Sequence, residues 1–461
     1  MGPIFNRVLR ANSRCSQYLG SGGVKFLCHA AGAITRILPH TQVSAWTEVA
    51  WERPYARWTS SDRRGIRVSI PIGDREARVA RSVSSEVTRR RVPSGVGSIG
   101  RTLDLREQDI CRRVAERVSS VLGGTNAAPA SVSLSALRAA FDEQVVAAHI
   151  KAHHGLDINI ADVLGSIHEL AEQTYENKSL AFGCLIDPNW VVDGEAVFPS
   201  TMLESKKYRA LSDGFKTAYH VATGGHLLGF VDLENFDRRK LGARHYFPEW
   251  CEDIAKASRG GRCGISLTRN GEILVFDEGS LRFSYRFGRW QYWNHSHLVD
   301  LLRNLTRVQR VPTERVSTVA AAVYRVALDV SFRRTGALFV ILRNERNLRK
   351  VVRRGDAIND RRRETIDKQF DDALPAGTIQ SLPRGVIAEI AALDGAIVMN
   401  NRGQILAYGA VLNPQKKGRI SRAEGSRTKA AIGASHYGLA VKVSADGDIT
   451  VYHQGNRFIS V

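Results

Sequence analysis

The sequence predicts an α/β protein with a mixed-sheet domain at its C terminus and an α+β domain before it. Three observations carry that expectation. From about residue 311 onward, helical periodicity alternates with short apolar runs, the order that lays helices against a sheet. Between about 180 and 293 the runs are β-rich and follow one another across turn residues. At 461 residues the chain is also too long for one ordinary domain.

Composition narrows the class. Hydrophobic residues at 43% and charged residues at 24% are those of a soluble globular chain. A net charge of +20 favours polyanionic partners: nucleotides, nucleic acid or an acidic membrane surface. The excess is spread along the chain, so ordinary solvated faces account for it equally well. Six scattered cysteines form no CxxC pair and no metal-ligand spacing, and read as reduced thiols of a cytoplasmic protein. No apolar run reaches the ~20 residues a membrane helix needs. "VKFLCHAAGAITRIL" is too short to span, and it lies behind a polar lead without a cleavage site.

Residues 1–130 form a compositional zone whose basic residues are arginine apart from Lys25. It reads as an accessory or poorly ordered segment, with a strand or two in 60–95 and one amphipathic helix in "RTLDLREQDICRRVAERVSSVL". "GGTNAAPASVS" is a linker. Residues 135–305 follow as an α+β domain. "SLSALRAAFDEQVVAAHIKAHHG" is a helix opened by a Ser cap. Strands are expected in "LAFGCLID", "HLLGFVDL" and the run from Cys263 to Trp293, where Asn270-Gly271 predicts a type I′ hairpin turn. "ATGGHLLG" lacks the Lys and Ser/Thr of a phosphate loop and reads as a turn. Trp290, Tyr292 and Trp293 read as cover for a core edge, with a ligand cage as the alternative. His149 and His153 share a helix face, as metal-binding pairs do, but Ile150 stands where a zincin glutamate would be. Polar rings near a helix end explain them without a metal.

Residues 311–461 complete a third region. A helix carries Val316, Val319, Ala320, Val323, Val326, Ala327 and Val330 on one side and runs into strand "GALFVIL". After a charged stretch come helix "RGVIAEIAAL", strands "GAIVMN" and "ILAYGAVL", and the loop "NPQKKGRISRAEG". Helix "SRTKAAIGASHYG" and strands "LAVKVSA" and "ITVYHQG" close the chain.

Two stretches of this region carry chemistry. Asp394 sits at a helix-to-strand junction, with Gly395 and Ala396 leaving room for a ligand. Gly425 and Ser426 open a helix whose first turn holds Arg427, Thr428 and Lys429. Cations there oppose the helix dipole, a local conflict that an anion would relieve. A carboxylate to hold a divalent cation and a cationic helix start to hold phosphates are what a nucleotide-joining site needs. The alternative is that Asp394 caps a strand while Arg427 and Lys429 face water.

The last 150 residues or so resemble the diadenylate cyclase (DAC, DisA_N) domain, the nucleotide-binding module of the DNA-integrity scanning protein DisA family. "RRTGALFVIL", "LDGAIVM", "ILAYGAVL", "GSRTKAA" and "AVKVSADGDITVY" match its motifs in order. The resemblance implies two ATP molecules, one on each of two facing protomers, joined into cyclic di-AMP with Mg2+ or Mn2+. Asp394 would bind the metal and assist the 3′-hydroxyl. Gly425, Ser426, Arg427, Thr428 and Lys429 would hold phosphates, and Gly395, Ala396 and Leu412 would lie near the nucleoside. A face-to-face homodimer or higher homo-oligomer follows. The region before it resembles a sensor domain of the type called DACNV, which would make the protein a regulated signalling protein.

The sequence departs from the family at two places. Thr428 replaces a histidine and Lys429 an arginine, and lysine cannot offer a guanidinium's two-pronged grip. Ala445-Asp446 replaces a pair of glutamates. Nucleotide binding is therefore expected more firmly than turnover, and a catalytically inactive nucleotide or cyclic-dinucleotide receptor is the alternative. Nucleic-acid binding rests on net charge alone, with no recognition-helix pattern.

Overall fold

The computed structural model describes residues 104–123, 134–306, 312–358, 377–415 and 425–461, with shorter pieces at 33–34, 36–38, 41–43, 48–51, 66–70, 77–85, 360–362, 364–366 and 368–369. The expected linker at 124–133, its Ser cap, Cys15, Cys28 and most of the loop before Gly425 lie outside the described residues. The chain divides into two compact units, residues 1–239 with 253–293 and residues 240–252 with 294–461.

In the first unit, strand Ala77–Ser85 pairs antiparallel with Thr41–Val43, Glu48–Trp51 and Ile66–Ile70. Helices α1 (Leu105–Gly123), α2 (Leu134–His154) and α3 (Ile160–Ala171) follow. Ile160, Val163, Leu164, Ile167 and Leu170 of α3 recur at helical spacing and are buried, and the Asn159 side chain caps the helix by accepting from the Ala161 N–H at 3.2 Å. These helices share one core with a seven-stranded sheet. Its strands are β1 (Phe182–Asp187), β2 (Thr217–Ala222), β3 (Leu227–Asp232), β4 (Cys263–Leu267), β5 (Ile273–Asp277), β6 (Ser280–Arg286) and β7 (Arg289–Tyr292). The spatial order is β7-β6-β5-β4-β1-β2-β3, antiparallel except for the pair β1 and β2.

The hairpin between β4 and β5 forms as the alternation predicts, but its turn differs. Gly271 has φ +75° while Asn270 is not left-handed, and the Gly271 N–H donates to the Thr268 carbonyl at 2.9 Å. Thr268 N–H in turn donates to the Glu272 carbonyl at 2.9 Å. That is a type I turn closed by a left-handed glycine, which needs positive φ at one position rather than two. Trp290, Tyr292 and Trp293 are buried, and the Trp293 indole donates to Ser284 Oγ at 2.9 Å, so they are core rather than a cage. Cys111, Cys184, Cys251 and Cys263 are buried thiols. Among the described residues no helix is long and apolar enough to cross a membrane.

The second unit is a six-stranded mixed sheet. After α4 (His295–Thr306) and α5 (Thr313–Phe332) come β8 (Ala337–Leu342), α6 (Arg384–Ala392), β9 (Ala396–Asn400), β10 (Ile405–Ala410), α7 (Ser426–Ala434), β11 (Gly438–Val443), β12 (Ile449–His453) and β13 (Asn456–Ser460). The order is β10-β9-β8-β11-β12-β13. Central β8 runs parallel to β9 and antiparallel to β11, and all six of its side chains are buried. Each of the five side chains larger than Ala337 contributes about 1.5–3 kcal/mol, which makes this strand the spine of the unit.

One polar element lies inside that apolar frame. Asp329, on α5, is 0% exposed. Arg384, the first residue of α6, grips it through both Nε and Nη2, the latter at 2.7 Å from Oδ1. The same guanidinium donates to the carbonyls of Phe247 and Arg325, and the Glu249 N–H donates to Asp329 Oδ1 at 2.7 Å. Three segments distant in sequence are thereby tied at one point. Burial pushes the Asp329 carboxyl up to about 6, against the pull of Arg384.

Replacing Arg384 by Met leaves that carboxylate buried without its cation, and is expected to cost about 3–5 kcal/mol in chemical denaturation. A buried acid takes up a proton more readily folded than unfolded, so the loss shrinks as pH falls from about 7 to about 4 and grows in the other direction. A pH-independent loss would mean that Asp329 is not the group left exposed to the penalty.

Candidate functional site

The register of the sheet gathers the candidate residues at one end. Phe339 of β8 lies opposite Ile397 of β9, and Ala337 opposite Val443 of β11. The segment entering β9 (Asp394, Gly395), the residue before β8 (Gly336) and the last residues of β11 therefore share an edge. Because β10 is antiparallel to β9 and Ala396 pairs with Ala410, the chain leaving β10 toward Leu412 emerges at that edge too.

Asp394 lies between the end of α6 and the start of β9, and its side chain is fully exposed. Gly395 has φ +121°, and a Cβ there would fall 2.3 Å from the Gly409 carbonyl carbon. The turn thus passes against the backbone of β10 at a point where Gly409 itself is left-handed, φ +55°, and the β9–β10 register shifts. Two glycines are needed for this crossing. Ala396 is buried in the sheet, while Leu412 is half-buried and bridges to Val352.

On the other side, Gly425 precedes α7 in extended conformation with no side-chain cap, and the first intrahelical donor is the Lys429 N–H. The N–H groups of Ser426, Arg427 and Thr428 are the open donors that a helix N-terminus presents to an anion. Arg427 Nη2 lies 3.2 Å from Asp394 Oδ1, so the structure brings the two halves of the predicted site together. Arg427 lies across Gly336, where a Cβ would fall 2.1 Å from its Nη1. The Lys442 ammonium donates to Thr428 Oγ1 at 3.0 Å, adding a cation at the helix start. Ser426 and Lys429 are exposed, and Lys429 forms no ion pair among the described residues. The Asp394–Arg427 pair is open to water, where such contacts are weak and easily exchanged. Either partner is free to take a bound ion or phosphate instead.

Gly336, Gly409 and Lys442 went unnoticed as site residues in the sequence. Gly336 was visible only as the start of an apolar strand, since what rests on a glycine depends on a residue far along the chain.

A second concavity of about 1750 Å³ opens beside β10. Among the described residues it is lined by Arg315, Arg346, Arg349, Lys350, Arg353, Arg354, Arg361, Arg362 and Arg402, with Asp360 as the one acid, together with Leu348, Val352, Ile358, Leu406 and Tyr408. It does not include Asp394 or Arg427.

The two glycine contacts predict opposite stability outcomes. Gly395→Ala strains the backbone and collides with backbone, so a loss of about 2–4 kcal/mol is expected. Gly336→Ala meets only the tip of a flexible side chain, and its change should stay within about 1 kcal/mol. Denaturant midpoints check both, and equal losses would contradict the two crossings as described.

Residues 326–457 match the family model described as DisA bacterial checkpoint controller nucleotide-binding (DAC). Among solved structures, the chain is similar to a double-cysteine mutant of DacA from Staphylococcus aureus, with 23% identity, covering 32% of this chain and 90% of that one at a TM-score of 0.24. It is also similar to a hypothetical membrane spanning protein from Bacillus cereus, with 20% identity, covering 32% of this chain and 71% of that one, again at a TM-score of 0.24. No curated protein matches the chain. The family match runs from within α5 into β13 and takes in Gly336, Asp394 and the first turn of α7, so residues 326–457 are a DAC nucleotide-binding domain of the DisA checkpoint-controller type.

Proposed function

We propose that the DAC domain binds ATP and condenses two molecules into cyclic di-AMP, using Mg2+ or Mn2+, in a cytoplasmic signalling protein. The observation that carries this reading is the meeting of Asp394 with Arg427 at the open start of α7. The donor set suits the ion. Mg2+ is commonly held by one or two carboxylates together with substrate phosphates, and Asp394 offers one exposed carboxylate. When bound, such an ion would favour ionisation of the attacking hydroxyl and spread phosphate charge.

The chain's own residues do the rest. Arg427 exchanges its contact with Asp394 for phosphate oxygens, which frees the carboxylate for the metal and the 3′-hydroxyl. Lys429 and the open N–H groups of Ser426 and Thr428 hold the remaining phosphate oxygens, with Gly425 leaving room for their approach. Gly395, Ala396 and Leu412 border the nucleoside. Each 3′-oxygen attacks the α-phosphorus of the other ATP and pyrophosphate leaves. One domain holds one ATP, so two domains must face each other in a homodimer or larger homo-oligomer. In this reading residues 135–305 act as a sensor that alters how the two DAC domains meet, with residues 1–130 as an accessory segment.

A second reading is favoured by specific residues. Thr428 carries no charge, Lys429 is a point charge rather than a fork, and Asp446 stands exposed on its turn where the family has paired glutamates. These fit a receptor that binds a nucleotide or cyclic dinucleotide without turnover.

Incubating the full chain with ATP and Mg2+ or Mn2+ is expected to give cyclic di-AMP by mass spectrometry, reduced by about two orders of magnitude or more in Asp394→Asn. Tight ATP binding without product selects the receptor, and absence of both removes the nucleotide reading altogether. Gly336→Val, which crowds the Arg427 guanidinium, should weaken ATP binding by about tenfold, the worth of one good charged contact. Product from a strictly monomeric protein would contradict the facing arrangement.

A further inference from the structure

We propose that the first unit carries a binding site for a divalent transition-metal ion, Zn2+ foremost, formed by His153, His154 and Asp277. The two histidines end α2, and the aspartate ends β5. His153 Nε2 lies 3.5 Å from Asp277 Oδ2, and His154 Nε2 lies 3.8 Å from Oδ1. One ligand atom from each residue lies within 4.8 Å of the other two. Tetrahedral zinc bonds of about 2.0–2.1 Å set neighbouring ligand atoms roughly 3.3 Å apart. The two imidazole–carboxylate distances lie about 0.2–0.5 Å outside that spacing, and the widest separation in the set, up to 4.8 Å, must close by about 1.5 Å.

The hydrogen bonding around it points the same way. His154 Nδ1 lies 2.7 Å from the Gly261 carbonyl. A carbonyl only accepts, so Nδ1 carries the proton, and in the neutral ring the lone pair at Nε2 faces the Asp277 carboxylate. Asp277 is 3% exposed, and its carboxylate is met by guanidinium ion pairs rather than by hydrogen bonds of ordinary geometry. The imidazole lone pair and the carboxylate thus converge on one buried point, where a divalent cation can take the place of the guanidinium groups. A ring nitrogen that donates to a carbonyl while its partner nitrogen binds metal is a recurrent outer-shell arrangement. Gly261 is itself fixed, its N–H donating to Glu278 Oε1 at 2.8 Å.

Imidazole nitrogens select the borderline-soft ions rather than Mg2+, which prefers oxygen. The side chain of His153 is 34% exposed, which gives the ion an approach and leaves a position for water or a fourth ligand. His149, the other half of the helical pair seen in the sequence, takes no part. Its Nδ1 is engaged with Asp109 at 2.7 Å, and its ring stacks on His153 with centroids 5.8 Å apart. Two guanidinium groups compete for the carboxylate. Arg106 forms an ion pair with it, and Arg282 Nε lies 3.7 Å away, both closest to Oδ2. Metal binding must therefore displace Arg106, which predicts that removing this side chain tightens the site.

The test is calorimetric titration of the chelator-stripped full chain with Zn2+, with Co2+ absorption as a second probe. One equivalent of Zn2+ is expected to bind and to survive Asp394→Asn, which separates it from any ion of the DAC domain. His154→Ala and Asp277→Asn should each weaken it at least about tenfold, and Arg106→Ala should strengthen it. Should the buried replacements fail to fold, the partly exposed His153→Ala must show the same loss. Absence of Zn2+ binding, or binding indifferent to His153→Ala, overturns the site.

Discussion

The ion pair of Asp329 with Arg384 is the constraint on which the second unit's geometry depends. Asp329 fixes the helix that feeds the central strand, and Arg384 begins the helix that delivers Asp394. Both ends of the candidate site are thus referred to one buried point. The residue before the central strand, Gly336, seats Arg427. A charge pair in a dry interior is a poor source of net stability, because desolvation offsets most of the attraction. Its value here is positional. The guanidinium also takes the Phe247 carbonyl, so a segment remote in sequence, 240–252, is drawn into the same joint.

The site built on this frame is polarised. Behind it the strands β8 and β9 are wholly buried and paired through their backbones. At its surface Asp394, Ser426 and Lys429 stand in water, and the Asp394–Arg427 contact is loose. Charged side chains that meet only in solvent can change partners at little cost. The defining positions are the glycines: Gly395 and Gly409 permit two backbones to cross, and Gly336 leaves the space over which the Arg427 guanidinium lies. The site is held by what those positions lack.

Much of this was legible in the sequence where the signal was local. The apolar spacing of residues 316–330 gave the helix, and "GALFVIL", "GAIVMN" and "LAVKVSA" gave strands within two residues of their observed ends. Arg427 was legible because a cation in a helix's first turn opposes the dipole, and Asp394 because small residues follow it at a helix-to-strand junction. What the sequence hid depends on contacts between distant residues. Nothing near 240–252 announces that it packs with the second unit, and the final strand, Asn456–Ser460, lacks an apolar alternation because it is an edge. The Asn270-Gly271 pair signalled a hairpin correctly, yet the turn type followed the length of the loop rather than the dipeptide. His149 and His153 shared a helix face as expected, but Asp277 decides which ring nitrogens converge, and it lies on a strand far along the chain.

The cleft beside β10 carries a consequence of its own. Among the described residues, nine cationic side chains line it with a single acid, Asp360, among them. Like charges at that density repel, and the repulsion is a standing strain on the compact state. Dissolved ions relax it once the screening length falls to about 10 Å, near 0.1 M salt. The fold of this unit should therefore be halotolerant, growing firmer from dilute buffer to physiological ionic strength where most surface electrostatics fade.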